Sequence, residues 1–588
     1  MAQQQMTKNR SEFEIELTST HPSAYPSIKP TAPSTVQSSS SSVGNSDEGK
    51  PSEPPVLTAS PEVKSSLHQS KRNRPSISKS DADLEISYTI RKSSSDDSAA
   101  SRSYCDDRLH LLNVGRRSKV QADNVFAASA LSLYLVAEHP LFGFFDLDLF
   151  LDDLIAVKTQ FCTSILFNAV MFRACQMYTA MDSRALEYGR AFQMDAQKLW
   201  EAGSSNQQPD SLTSVTALHL LSLGCLCEGK NEEGLKYLAD GTSMGERMQL
   251  FGATAVPSDL HTNDLAGNEA KARTQCAWST YTWLMIHALF YHSPGISPPK
   301  DQIPKLITAH SNGLTGTNEV ERSTTNFVDQ TFENMCKLAV FIHEMTSNYY
   351  KKMGRPLMSR ISLDSAESVY QKVLAWSNIL PEALTRADPP FDHMVIFQSL
   401  YHMTILDILR PFTNADLHFR TFSASDCTPE SASRVSIKQL KHIIRTYALD
   451  CKSREYNNWW HGLYLCVANA LLNDPEETER RVYFELCVQG ISNLYPSAQV
   501  AKVMLQGLFS MAIEKHFLSA AECAALLDQF RDQRGLVESP EGLHGTFFVD
   551  QNLSLTDPSK ATAAELADKF EELFLFNRFT SGDDFENT

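Results

Sequence analysis

Between Cys276 and His292 the chain carries no charged side chain, no proline and no glycine. Those seventeen residues form a run longer than most strands, so it reads as a helix. Trp278, Tyr281, Trp283, Phe290 and Tyr291 are distributed around it. A helix that is apolar on every side has to be buried all round, so other helices must enclose it. Ser293-Pro294-Gly295 is expected to end it, because proline cannot extend a helix and glycine supplies the turn. The segment is too short and too aromatic for a membrane span, and no second candidate span exists. It is therefore the centre of a soluble, all-α body.

The flanking sequence agrees. Apolar residues recur at helical spacing from Ala122 through Val125, Ala128, Leu131, Tyr134 and Val136. His139-Pro140-Leu141-Phe142-Gly143 then makes a tight turn. Further helices are expected over 150–158, 160–180, 184–200, 211–227 and 228–250, the last two forming a hairpin hinged at Gly229. Beyond the central helix, 298–326 reads as polar and irregular. Helices follow over 327–350, 363–380 and 391–412, and near 434–449, 459–472, 479–494, 498–513 and 520–530. No stretch alternates with the period of a strand, and no repeat of fixed period is present.

Both ends differ from this body. The first 100 residues hold 24 serines and 9 prolines. That composition buries too little apolar surface to offset ordering, so 1–104 is expected to be a disordered region. Within it, Lys71, Arg72 and Arg74 form a serine-flanked basic cluster, either a nuclear import signal open to tuning by phosphorylation or a chance cluster in a linker. The domain reading is thus 1–104 disordered, 105–530 helical, and 531–588 a loop with a terminal tail. The tail, 563–588, combines seven acids and two bases with five phenylalanines. Such a segment folds either as an amphipathic helix in a partner's groove or as a terminal helix docked on its own body.

Charge and motifs narrow the chemistry. The net charge is −17, and the first 100 residues hold 11 basic and 12 acidic side chains, so the excess lies on the folded remainder. A body this acidic is repelled by phosphate backbones and anionic lipid, so direct DNA binding by it is not expected. The twelve cysteines include no CxxC pair, which fits reduced thiols in an intracellular core rather than a metal site or disulfide framework. The N-terminus has no apolar segment of a secretory signal. Gly241-Thr-Ser243-Met-Gly245 matches G-x-S-x-G, but a nucleophile elbow needs a strand before the serine, and this stretch reads helical. Asp146, Asp148, Asp152 and Asp153 precede an apolar run and suggest a magnesium-dependent enzyme acting on isoprenoid diphosphates. The third acid of such a motif is missing near 156–158 and no second motif occurs, so the cluster is read as capping and solvating the start of a helix over 150–158. His287 reads as a core or pocket group. No Walker loop and no G-x-G-x-x-G occur, and no cofactor is expected.

Three blocks together resemble the regulatory region, or middle homology region, of fungal zinc-cluster transcription factors. They are HPLFGFFDLDLFLDDL at 139–154, the helical pair from Ser214 to Phe251, and the tryptophan-bearing central helix. LYHMTILDILRPF at 400–412, and the segment from Val373 to Pro381 before it, are similar to later helices of that family. The resemblance spans roughly 122–412. It departs at Leu284 and Met285, where the family has an Asp-Arg pair, and at His292-Ser293, where the family has Gly-Arg. The family's zinc cluster uses six patterned cysteines, usually near the N-terminus, and here no cysteine precedes Cys105.

The resemblance implies a nuclear regulator of RNA polymerase II transcription of metabolic or secondary-metabolite genes. It would work through a helical regulatory domain and lack its own zinc-cluster reader. Its partners would be a DNA-binding protein or the transcription machinery, a small-molecule inducer, or a second copy of the chain; no membrane is involved. Trp278, Trp283, Tyr291 and Trp376 are candidates to line an inducer pocket, although core packing explains them equally well. The alternatives are the magnesium enzyme and a cytosolic helical scaffold.

Overall fold

Capping side chains set the starts of the first helices. Asp123, Asp146, Thr163 and Ser211 each sit in extended backbone and accept a hydrogen bond from an N–H of the following turn, satisfying donors that a helix start leaves open. The helices they begin are α1 (Asn124–Ala137), α3 (Leu147–Ala156), α4 (Ser164–Tyr178) and α6 (Leu212–Cys227). Between these lie the one-turn α2 (His139–Phe142) and α5 (Arg184–Ser205). The hairpin partner of α6 is α7 (Asn231–Arg247), and the central helix is α8 (Gly267–Tyr291).

In the computed structural model the described residues are 104–207, 209–251, 267–304, 319–350, 357, 361–386, 391–413, 417–422, 427–447, 455–534 and 544–580. They fall in one compact unit. After α8 come α9 (Glu319–Tyr349), α10 (Leu363–Ser377), α11 (Glu382–Arg386) and α12 (Asp392–Leu409). The C-terminal half adds α13 (Pro429–Tyr447), α14 (Trp460–Asn473), α15 (Arg480–Asn493), α16 (Ala501–Glu514), α17 (Ala520–Arg534) and α18 (Ala563–Thr580). Among the described residues there is no strand, only two isolated bridges. No described helix is long and apolar enough to cross a membrane.

The helices pack in a continuous series. α4 lies against α1, α5 and α6, and α6 against α7 and α8. From there α8 meets α9, which meets α10 and α12. In the C-terminal half α12 meets α13 and α14, α14 meets α15 and α16, and α16 meets α18. At the centre, every residue of α8 from Gln275 to Leu289 is buried, as its all-round apolar character requires. The helix starts earlier than the apolar run because its first turns, with Glu269 and Lys271, lie toward solvent.

Three local readings are corrected. The left-handed residue that closes α8 is His292, at φ 46°, and not Gly295. Gly295 instead makes room, since a Cβ there would sit 2.8 Å from the Met285 sulfur. Residues 319–326, expected to be irregular, belong to α9. The aspartate-rich helix begins at Leu147, so Asp148, Asp152 and Asp153 lie inside it and only Asp146 caps it. By contrast, Gly143 (φ 53°) and Gly229 (φ 74°) take the left-handed turns expected of them.

Residues 544–562 are irregular, yet they are fastened along their length. His544 N–H donates to the Gly229 carbonyl at 3.0 Å, and the Thr546 hydroxyl to Asn231 Oδ1 at 3.1 Å. The Asn469 amide donates to the Val549 carbonyl at 2.6 Å, and the Gln551 N–H to Asn469 Oδ1 at 3.1 Å. This strap runs from the α6–α7 turn, over the end of α8, to α18. There Ala563, Leu566, Ala567 and Phe570 are buried, and Phe570 meets Phe509 of α16.

Candidate functional site

The four aspartates do not converge. Arg108 pairs at once with Asp106, Asp148 and Asp152, at 2.8, 2.8 and 2.7 Å. Asp146 accepts from the Leu149 N–H and pairs with Lys271, while Asp153 accepts from the Phe161 N–H. Each carboxylate already has a basic or N–H partner, and among the described residues no group of three or more His, Cys, Asp or Glu could hold a metal ion. The G-x-S-x-G run lies wholly inside α7, so Ser243 has no strand-to-helix elbow. Its glycines serve packing: a Cβ at Gly241 would come within 3.0 Å of His219, and one at Gly245 would enter the Phe251 ring.

The tryptophan candidates separate into three places. Trp278 donates to the Asp301 carbonyl at 3.0 Å and meets Tyr281 edge-on. Trp376 lies among Phe341, Phe397 and Tyr401, on α10's contact with α9 and α12. Trp283 and Tyr291 share one face of α8 at i and i+8, with His287 between them. Trp283 and His287 are T-shaped at 5.9 Å, and His287 and Tyr291 stack at 4.1 Å. The import candidates Lys71, Arg72 and Arg74 lie outside the described residues.

α8 also packs against α6, and the two helices run side by side in the same direction. The Cys276 sulfur lies near the Leu212 carbonyl and the Thr216 hydroxyl at one end. At the other, Tyr291 is within electrostatic reach of Cys227. Between these ends His219 of α6 is within electrostatic reach of His287. The seam holds polar atoms without partners. His287 Nε2, Trp283 Nε1 and the Ser222 hydroxyl are buried and complete no hydrogen bond, while the His219 ring bonds the Gly241 backbone. Buried polar groups are usually paired, and unpaired ones recur elsewhere in the body, at Tyr134, His139 and Ser510 among others. Burial disfavours the charged imidazolium and pushes His219 down to about 3 and His287 to about 4. Both rings are therefore neutral at physiological pH, each with one donor and one acceptor nitrogen.

Next to the seam is a satisfied counterpart. The side chains of Glu138 and Arg173 are both completely buried. Arg173 grips the carboxylate through Nε at 3.0 Å and Nη2 at 2.5 Å, and donates through Nη1 to Gln176 Oε1. Gln176 in turn donates to the Gly224 carbonyl at 2.9 Å. The Trp459 indole, 321 positions along the chain, donates to Glu138 Oε2 at 3.1 Å. Its ring meets Phe142 at 4.8 Å and Trp283 at 6.1 Å. A bidentate guanidinium–carboxylate pair with its remaining sites filled is the geometry that makes two buried charges tolerable. Sequence reading missed this junction, though one signal was present: Arg173 is the lone charge in SILFNAVMFRACQMY of α4. A surface cleft beside Gln176, lined by Thr179, Leu186, Glu228 and Pro496, has a volume of about 10 Å³, room for about one water.

The site is thus a sealed aromatic and polar junction in a helical body, with no converging nucleophile, base or metal set among the described residues. Residues 131–387 match the family model of the fungal specific transcription factor domain. No curated protein and no solved structure matches the chain. The matched segment includes α8, the seam, Glu138 and Arg173, but ends before Trp459 and the strap.

Proposed function

We propose that the chain is a nuclear regulator of RNA polymerase II transcription, controlling metabolic or secondary-metabolite genes. The observation that carries this reading is the fungal specific transcription factor domain at 131–387, set in an all-helical body. DNA is read by a partner protein, because the excess negative charge of the body opposes direct contact with phosphate. A partner, a second copy of the chain or a small-molecule inducer shifts the body between two packings, and the junction under α8 is where that shift acts. Lys71, Arg72 and Arg74 direct import.

The test uses a tagged full-length chain in the source cells. Recovery in the nucleus, association with promoter chromatin, and loss of nuclear accumulation when Lys71, Arg72 and Arg74 become Ala are expected. A chain that stays cytosolic and never cross-links to chromatin would instead support the scaffold reading.

A further inference from the structure

We propose that two copies of the chain associate by docking the basic outer face of α13 in one on the acidic outer face of α18 in the other. Both helices lie beyond the matched segment, and the inference stands independently of the regulator reading.

The basic face is unusual for this chain. The net charge is −17, yet PESASRVSIKQLKHIIRTY of α13 carries four basic side chains and one acid. Ala432, Ser436, Leu440 and Ile443 turn α13 onto α12, α14 and α15. With 3.6 residues per turn, Arg434 and Lys438 fall on the opposite side of the helix, and both are exposed, as is His442 beside them. Lys441 does not share in this face. It turns back to Glu477 at 3.0 Å and lies 4.3 Å over the Tyr483 ring, which fixes the rotation of α13. Arg434 pairs only with the exposed Glu430 one turn away, a contact of little strength in water. Lys438 makes no ion pair among the described residues.

The acidic face is built in the same way. Ala563, Leu566, Ala567 and Phe570 bury α18 against α16 and α17. Glu565, Asp568 and Glu572 lie on the far side and are exposed. The other charges of this helix are occupied: Lys569 pairs with Glu514, and Glu571 accepts from the Gln506 amide at 3.2 Å. Arg434 and Lys438 are one turn apart, as are Asp568 and Glu572, so each pair spans about 6 Å along its helix. The two faces are therefore matched in sign and in spacing. Each is open to solvent in its own chain, so they meet only between copies. General repulsion between two acidic bodies is screened beyond about 8 Å at physiological salt, while the contacting charges act at shorter range. Because every chain carries both faces, a two-fold pair would use each of them twice.

Sedimentation velocity on the full chain at physiological salt is the test. The parent is expected to self-associate. Arg434→Glu with Lys438→Glu should weaken association about tenfold or more, since two or three exposed ion pairs of ordinary strength together amount to one such factor. Glu565→Lys with Asp568→Lys and Glu572→Lys should do the same. Mixing the two variants should restore association, because each then offers the face that the other lacks. Both variants remain net acidic, so bulk attraction cannot mimic the rescue, and rescue also shows that both are folded. Lys236→Glu, on the exposed side of α7, should leave association unchanged. A monomeric parent, a variant that associates as the parent does, or a mixture that stays apart overturns the proposal. None of these readings involves transcription, so failure here leaves the regulator reading standing.

Discussion

Removing Arg173 is the most direct way to ask whether the Glu138 junction holds the body together. Arg173→Met keeps the length and apolar stem of the side chain but leaves the Glu138 carboxylate fully buried, with the Trp459 indole as its one remaining donor among the bonds described above. Breaking a buried pair from one side typically costs about 3–5 kcal/mol, because the surviving charge is uncompensated. For one cooperative unit of about 450 residues, with an unfolding entropy of about 2.1 cal/mol/K per residue, that is a fall in Tm on the order of 3–5 °C. Glu138→Gln strands the guanidinium in the same way and should fall comparably. The double variant removes both charges yet retains an amide oxygen for Trp459, so it should melt above either single variant. Thermal melts followed by far-UV circular dichroism on all four proteins complete the cycle. If Arg173→Met melts within about 1 °C of the parent, or the double variant loses the sum of the two singles, the junction is not a coupled pair and the argument fails.

Other consequences are read the same way. A Cβ at Gly224 would penetrate the Phe172 ring where α6 crosses α4, so Gly224→Ala should cost about 1–3 kcal/mol by overpacking in chemical denaturation, and a neutral result would mean the helices can separate there. Burial holds His139, His219 and His292 near 3 and His287, His393, His402 and His461 near 4. Unfolded histidine takes up its proton near 6.5, so below that pH the unfolded chain binds more protons and stability falls by about 1.4 kcal/mol per pH unit for each such ring, down to the folded value. Helical signal should therefore be lost well above pH 4, and its survival to pH 4 would contradict the burial of these rings. Phe570→Ala removes the anchor of α18 on α16 and should open the C-terminus to limited proteolysis at unchanged melting of the rest; an unaltered digestion pattern would mean the other buried residues suffice.

Periodicity showed where the helices lie, because a buried stripe must repeat with the helical turn and α8 could be nothing else. Their ends were less legible: Asp146 and Ser211 are caps only in extended backbone, which a sequence does not display. The left-handed turn after α8 falls at His292, while Gly295 lets Met285 close up. The site was half visible. Trp283 and Tyr291 stood out, but so did Trp278 and Trp376, and nothing local distinguishes a tryptophan on one face of α8 from one on another. Glu138, Arg173 and Trp459 meet only in the fold, across a separation of 321 positions for one of the bonds. The strap was read as loop because its fastenings are backbone and amide groups, which leave no hydrophobic pattern.

The matched segment should not stand alone, because residues beyond 387 lie over its central helix. Trp459 covers Phe142 and Trp283. Gly462 approaches Phe290 so closely that a Cβ would sit 2.9 Å from the ring, and the Val500 N–H caps the Cys227 carbonyl at the end of α6 at 3.1 Å. All of these come from residues beyond 387. Ending the chain there would strip the Glu138 carboxylate of its indole donor and bare one side of α8. If half of each of three large rings is uncovered, on the order of 300 Å² of apolar surface meets water. At about 25 cal/mol per Å² this costs roughly 8 kcal/mol, comparable with the whole stability of an ordinary domain. A chain of residues 104–387 should therefore aggregate or bind hydrophobic dye, while 104–580 stays monodisperse. A soluble, helical, dye-free 104–387 would show that α12 to α18 are an appendage and that the junction at Trp459 adds nothing to the fold.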